Sequence, residues 1–251
     1  VAAAGAAAAG GAKPLAGGQT LLASMKLRLA NPEKLIDLGG IAELSGIRKE
    51  GNAVVIGAMT RHADVANSAE VKAAIPALAA LAGQIGDRQV RAMGTLGGSV
   101  ANNDPAADYP AGVLALGATI VTNERKIAAD DFFKGLFETA LKPGEVITAI
   151  SFPVPEKAAY QKFPNPASRY AMVGVFVAKT ASGVRVAVTG AAPAVFRQKD
   201  MEAALAKKWA PDAVDGIKQK ADGLNSDIHG SSEYRAHLVG VMAKRAVQAA
   251  G

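Results

Sequence analysis

Gly94-Thr95-Leu96-Gly97-Gly98-Ser99-Val100-Ala101-Asn102-Asn103-Asp104-Pro105-Ala106-Ala107-Asp108 is the stretch from which the chain is best read. Three glycines in five residues, with Thr95 inside the run and Ser99 just after it, let consecutive backbone N–H groups turn toward one point. That is how a loop holds a diphosphate without side-chain bulk. Two carboxamides and two carboxylates follow, groups able to hydrogen-bond ribose or ribityl hydroxyls. A second glycine pair, Ala16-Gly17-Gly18-Gln19-Thr20, lies far upstream, just after the short apolar lead-in Pro14-Leu15. Two such loops suggest one large ligand, although an isolated Gly-Gly is also the signature of a plain tight turn. Neither loop has the spacing of a Rossmann or a Walker phosphate loop.

The rest of the chain narrows the possibilities. At 251 residues, half of them apolar, it suffices for one large or two modest domains with a sizeable core. Charged residues, glycine or proline interrupt every apolar segment, so no membrane span is expected. The formal charge of +6 is scattered rather than gathered into a basic stripe with aromatics, which argues against nucleic acid and suits an anionic cofactor or an acidic partner. There is no cysteine, and His62, His229 and His237 do not stand at metal-ligand spacing. The expectation is therefore no metal site and no iron–sulfur cluster on this chain, with redox chemistry only through a bound organic cofactor. No nucleophile–His pair or acid–base couple is evident, so no catalytic residue is assigned. His62 is read as a surface or packing histidine.

Taken in order, Lys13–Ala16 reads as a strand feeding the first loop. The alternation of Met25, Leu27 and Leu29 with Lys26, Arg28 and Ala30 predicts a strand or extended segment there, following a short helical turn. Residues 33–38 form a second short strand, and a hairpin turns at Glu50-Gly51-Asn52. Thr60 is expected to cap a helix through Val65, and Val71–Ala82 to form one helix with Pro76 in its first turns. Arg88 and Arg91 read as phosphate ligands or as solvated, salt-bridging cations. Phe132, Phe133 and Phe137 are expected in the core. Pro153-Val154-Pro155-Glu156-Lys157 is the predicted domain boundary. Beyond it, strands at 160–163, 170–179 and 184–189 precede helices at 201–208 and 234–250, an α+β order. Val1–Ala12, all Val, Ala and Gly, has no signal-peptide pattern.

Both glycine motifs, with Met25-Lys26-Leu27-Arg28, Gln89-Val90-Arg91 and Asp104-Pro105-Ala106-Ala107-Asp108, resemble the FAD-binding medium subunit of molybdenum hydroxylases. Within the wider xanthine dehydrogenase family, the aerobic carbon monoxide dehydrogenase type is the nearer likeness. The resemblance runs on through residues 132–139 and Lys162–Tyr170 to Ser226-Asp227-Ile228-His229 and Tyr234-Arg235. It implies a two-subdomain FAD-binding fold of the vanillyl-alcohol-oxidase (PCMH) type over residues 1–152, divided roughly into 1–50 and 51–152, with a C-terminal α+β domain over 156–251. It gives the diphosphate to Ala16, Gly17, Gly18, Gln19 and Thr20 and to Thr95, Leu96, Gly97, Gly98 and Ser99. Asn102, Ala107 and Asp108 fall to the sugar and ribityl portion, and Lys162 to the flavin ring. Ser99 stands where relatives often carry Asn or Asp, and Val1–Ala12 replaces the usual start of the fold.

The same resemblance places the molybdenum cofactor on a large subunit and two iron–sulfur clusters on a small one. It implies a dimer of heterotrimers in the cytoplasm or at the inner face of a membrane. Electrons would pass through FAD to a quinone, a cytochrome, NAD or oxygen. Two other readings stay open at this point, a self-sufficient flavin oxidoreductase of the same fold and an FAD-free assembly module.

Overall fold

A computed structural model describes residues 1–251. Helix α1 (Ala2–Ala9) leads to strand β1 (Lys13–Leu15), the first glycine loop, helix α2 (Leu21–Lys26) and strand β2 (Leu35–Asp37), which pairs with β1 in parallel. Ala4, Leu38, Leu44 and Val146 form a small core beneath this unit. Its loop therefore hangs from a short parallel pair rather than from a large sheet.

Strands β3 (Ile47–Glu50) and β4 (Ala53–Gly57) form the hairpin read at Gly51. Helices α3 (His62–Asn67), α4 (Ala69–Ala74), α5 (Pro76–Gly83), α6 (Arg88–Met93), α7 (Leu96–Asn102) and α8 (Tyr109–Ala115) follow without an intervening strand. The chain then returns through β5 (Thr119–Thr122), β6 (Lys126–Ala128), α9 (Ala129–Phe132), the small hairpin β7 (Phe133–Gly135) and β8 (Glu138–Thr139), and β9 (Ile147–Pro153). One antiparallel sheet of order β3-β4-β9-β5-β6 results. Ile56 lies opposite Ile150, which lies opposite Ile120, and all three join Leu78, Leu81, Val113 and Phe152 in the main core.

The last part of the chain is a second antiparallel sheet, β10 (Lys157–Pro164), β11 (Ala171–Thr180), β12 (Gly183–Thr189) and β13 (Phe196–Arg197), with helices α10 (Lys199–Lys207) and α11 (Ser232–Ala250). Val173, Val175 and Val177 of β11 face Leu238, Val239 and Met242 of α11. Phe176 and Ala178, on the opposite face, enter the main core with Tyr160 and Ala187. Alternation along a strand sends successive side chains to opposite faces. Strand β11 is thus buried on both, and it welds the two halves together.

Several local expectations give way to packing. The helical turn expected after Thr20 is helix α2, which runs on through Met25 and Lys26, and the extended segment expected over 25–30 does not form, because no strand stands beside those residues to pair with them. The helix expected over 71–82 is two, broken at Ile75, whose ψ of 70° obeys the restriction that a following proline imposes. Thr60 caps no helix. Its hydroxyl exchanges hydrogen bonds with the Gly46 backbone, and Arg61 occupies the cap position. Phe132 is buried as expected, but Phe137 sits at φ 54°, 56% exposed, on the β7–β8 turn.

Candidate functional site: two facing glycine loops

The first loop leaves β1 at Ala16 and enters α2 after Thr20. Gly18 has φ 73°, a left-handed conformation that L side chains rarely adopt. The N–H groups of Gly17, Gly18, Gln19 and Thr20 have no partner within the protein. Four consecutive free donors in a half-exposed turn are the donor set that an anion-binding turn requires.

The second loop is built differently from its sequence reading. Thr95 is the N-cap of α7 and accepts from Gly98 N–H at 3.2 Å. Leu96 N–H bonds Thr60 O, Gly97 N–H bonds Ala58 O at 2.8 Å, and Ser99 N–H bonds Thr95 O. The expectation that its amides converge freely on a ligand is therefore wrong, because the fold has already used them to seat α7 on the sheet. What its glycines supply is closeness. A Cβ on Gly97 would lie 2.5 Å from Ala58 Cβ, and one on Gly98 would lie 3.2 Å from Ala16 Cβ.

The two loops touch. A Cβ on Gly17 would come within 2.1 Å of Met93 O and 2.8 Å of Gly94 Cα. The free amides of the first loop thus sit directly against the start of the second, so one diphosphate can lie along both. Behind the contact stands His62, whose backbone N–H donates to Gly94 O at 2.9 Å. A Cβ on Gly94 would meet its Nε2 at 2.6 Å. Burial, with the Arg91 charge adding to it, lowers the His62 pKa to about 4, so the ring is neutral. Its Nδ1 and the hydroxyl of Tyr109, whose ring lies 5.3 Å away, are both buried without partners. The Arg91 guanidinium closes the preceding turn, its Nη1 donating to Ile85 O and Gly86 O.

Beyond α7 the chain runs past the other residues assigned from sequence. The side chains of Ser99 and Asn102, both half-buried, have no hydrogen-bond partner in the protein. The Ala107 backbone is engaged in the fold, its N–H donating to Asp104 O at 3.0 Å and its carbonyl accepting from Thr189 Oγ1 at 2.6 Å. Asp108 and Lys162 are brought together, with Nζ 3.1 Å from the carboxylate and 2.9 Å from Gln84 O. The Tyr160 hydroxyl donates to Asp108 as well. Burial pushes the Asp108 carboxyl above its ordinary value, while Lys162 and the Tyr160 hydrogen bond pull it back down. Burial, reinforced by the Asp108 charge, drives the Tyr160 phenol well up.

Three contributors were not legible as such. Tyr160 stands two residues before Lys162 on β10, so period two puts both on one face, a clue usable only once Lys162 has been singled out. Asn103 ends α7 in the left-handed region, φ 45°, as Asn often does at helix ends. Its amide donates to Gly135 O and Glu138 O, each at 2.8 Å, and ties the β7–β8 turn to the glycine helix. His62 gave no sequence signal, because its value lies in burial under Gly94.

The residue set suits FAD. The first loop offers a row of free amides, the opposing loop has room only for glycine, and the side chains of Ser99 and Asn102 on α7 are unpaired. No group of three or more His, Asp or Glu side chains is placed to hold a metal ion, and no helix is long and apolar enough to cross a membrane.

Residues 1–155 match the family model described as the FAD binding domain in molybdopterin dehydrogenase, and residues 158–250 match the CO dehydrogenase flavoprotein C-terminal domain. The carbon monoxide dehydrogenase medium chain of Hydrogenophaga pseudoflava is 39% identical over 95% of this chain and 89% of its own length. The glyceraldehyde dehydrogenase medium chain of Sulfolobus acidocaldarius is 37% identical over 93% and 89%. In three dimensions, carbon monoxide dehydrogenase from Hydrogenophaga pseudoflava lacking the Mo-pyranopterin moiety superposes with a TM-score of 0.90, covering 100% of this chain and 94% of the other. The fold, the facing glycine loops and these likenesses agree, and the chain belongs to the family of FAD-binding medium subunits of molybdenum-containing dehydrogenases.

Proposed function

We propose that this chain is the electron-transfer flavoprotein of a heteromeric molybdenum hydroxylase, taking electrons from iron–sulfur clusters on a small partner subunit and delivering them to an external acceptor. The observation that carries the reading is the row of unpaired N–H groups from Gly17 to Thr20, pressed against the second glycine loop. When bound, FAD supplies the redox chemistry, for which the chain has no group of its own.

The residues divide the work of holding it. Gly17, Gly18, Gln19 and Thr20 donate to the diphosphate, and Thr95–Ser99 form the opposite wall. Asn102 and Ser99 offer side-chain hydrogen bonds to the ribityl hydroxyls. Asp108 serves the ribityl portion and, through its ion pair, fixes the position of Lys162, which serves the flavin ring. The large subunit carries the molybdenum site and substrate pocket, the assembly is a dimer of heterotrimers, and the acceptor is a quinone, a cytochrome, NAD or oxygen. Residues that would bind and oxidise a substrate are missing from the loops, which disfavours a self-sufficient flavin oxidoreductase.

The test is a visible absorption spectrum of the complex purified with its partners, with the released cofactor identified after heating. Flavin bands with FAD in the supernatant, and iron–sulfur absorbance that tracks the small subunit, are expected. A folded, complete complex that contains no flavin and takes up no added FAD would overturn the proposal. Substrate-dependent bleaching of flavin by this chain alone would replace it with the self-sufficient enzyme.

A further inference from the structure

Gly174 stands inside β11 between Val173 and Val175, where glycine weakens a strand and no left-handed φ calls for it. Its reason lies on the neighbouring strand. A Cβ there would lie 2.3 Å from the Tyr160 hydroxyl oxygen and 2.9 Å from Tyr160 Cζ and Thr189 Cγ2. The glycine is a notch for the end of one side chain. Lys162 is its partner in register, and Tyr160, opposite Phe176, stacks on that ring with centroids 6.1 Å apart.

From the notch the hydroxyl donates to Asp108 Oδ1, at the head of α8. Two residues further along β10, Lys162 Nζ lies 3.1 Å from the same carboxylate and 2.9 Å from Gln84 O. An ammonium carries three N–H groups, so bonds to these two partners leave one to spare. Stability alone does not explain the arrangement. A phenylalanine at 160 with a larger residue at 174 would fill the same space, and a buried ion pair is often no more stable than apolar residues of similar volume.

We infer that Tyr160 is a positioning residue of the flavin site: its hydroxyl, seated in the notch at Gly174, holds the Asp108 carboxylate in place and through it fixes the Lys162 ammonium for the flavin ring. The inference rests on the proposed electron-transfer role and deepens it. The other ionisable groups around Asp108 give it no support. Tyr109, its chain neighbour, and Tyr170 are phenols that burial drives upward, with the Asp108 charge adding to the effect, and Asp104 is a second carboxylate acting on Tyr170. Only Lys162 and the Tyr160 hydroxyl oppose the burial that pushes the Asp108 carboxyl up. Without the hydroxyl, Asp108 takes up a proton more readily and the Lys162 charge is left uncompensated beside the cofactor. A positive charge there favours the more negative, reduced flavin.

The experiment uses the complete complex and follows the flavin midpoint potential against pH, with infrared spectra over the same range to detect a protonated carboxyl. In Tyr160→Phe the potential should step upward as pH falls, at a pH where the wild type shows no step, and a carboxylic-acid band should grow in with it. Adding Asp108→Asn should abolish both signals. Gly174→Ala, which pushes the hydroxyl out of its notch without removing it, should reproduce them, and it decides the matter if Tyr160→Phe does not fold. A lower melting temperature with neither step nor band would reduce Tyr160 to a packing residue and overturn the inference. Flavin content separates the two proposals. A wild-type complex that holds no FAD defeats the electron-transfer reading whatever the infrared spectra show, and flavin-replete variants without step or band defeat only the role given to Tyr160.

Discussion

Lys162 Nζ, on a strand of the second sheet, stands 3.1 Å from the carboxylate of Asp108 at the head of α8, with only 3% and 5% of the two side chains exposed. The pair bridges the halves of the molecule beside the proposed flavin site, and the Tyr160 hydroxyl completes it. A buried charge that loses its partner costs far more than the pair is worth intact. Lys162→Met should therefore destabilise the protein by about 3–5 kcal/mol. Lys162→Met combined with Asp108→Asn should recover part of that loss, because the uncompensated carboxylate is gone. Urea titration of the single and double variants reads the difference, and additive losses would mean that the two groups do not interact.

Gly17 and Gly97 separate binding from folding. Gly17→Ala places a methyl against Met93 O and Gly94 Cα, so it should force the loops apart and reduce FAD retention in the purified complex several-fold, with a smaller effect on the melting temperature. Gly97→Ala drives a methyl into Ala58 and should cost about 1–3 kcal/mol of stability as overpacking. Equal flavin occupancy in wild type and Gly17→Ala would remove the argument from loop contact.

His62 sets an acid limit. Its folded pKa of about 4 lies below the ordinary 6.5, so the unfolded chain binds the proton first as pH falls. The stability tied to the neutral ring is complete above about pH 6.5 and is lost progressively down to about pH 4, on the order of 3 kcal/mol in total. Because the ring backs Gly94, FAD should leave over the same window. His62→Phe should flatten both curves between pH 6.5 and 4, measured by thermal melts and flavin fluorescence, and an unchanged slope would exclude His62 as the source.

Asn103→Ala should detach the β7–β8 turn from the glycine helix. Two carbonyls, Gly135 O and Glu138 O, lose their donor, and the left-handed φ becomes costlier for alanine than for asparagine. A loss of about 2–3 kcal/mol follows from the unmade hydrogen bonds. Asn103→Gly, which keeps the backbone comfortable, should be milder, and identical melting curves for the two variants would show that conformation contributes nothing.

The sequence by itself pointed to an organic cofactor and to two glycine loops as the candidates for holding it. Glycine runs, the lack of cysteine and the order of apolar segments are local properties, and they survive folding unaltered. It also determined most of the strands, because β4, β9 and β11 are apolar runs that bury themselves wherever the fold places them. The tertiary structure alone decided how the loops divide the task. Whether a backbone amide is free or already bonded depends on a partner distant in sequence, and Ala58 O and Thr60 O claim those of the second loop while nothing claims those of the first. The same holds for His62 under Gly94 and for Asn103 on the β7–β8 turn. Each owes its role to burial or exposure created by residues far along the chain, a quantity that no local pattern encodes.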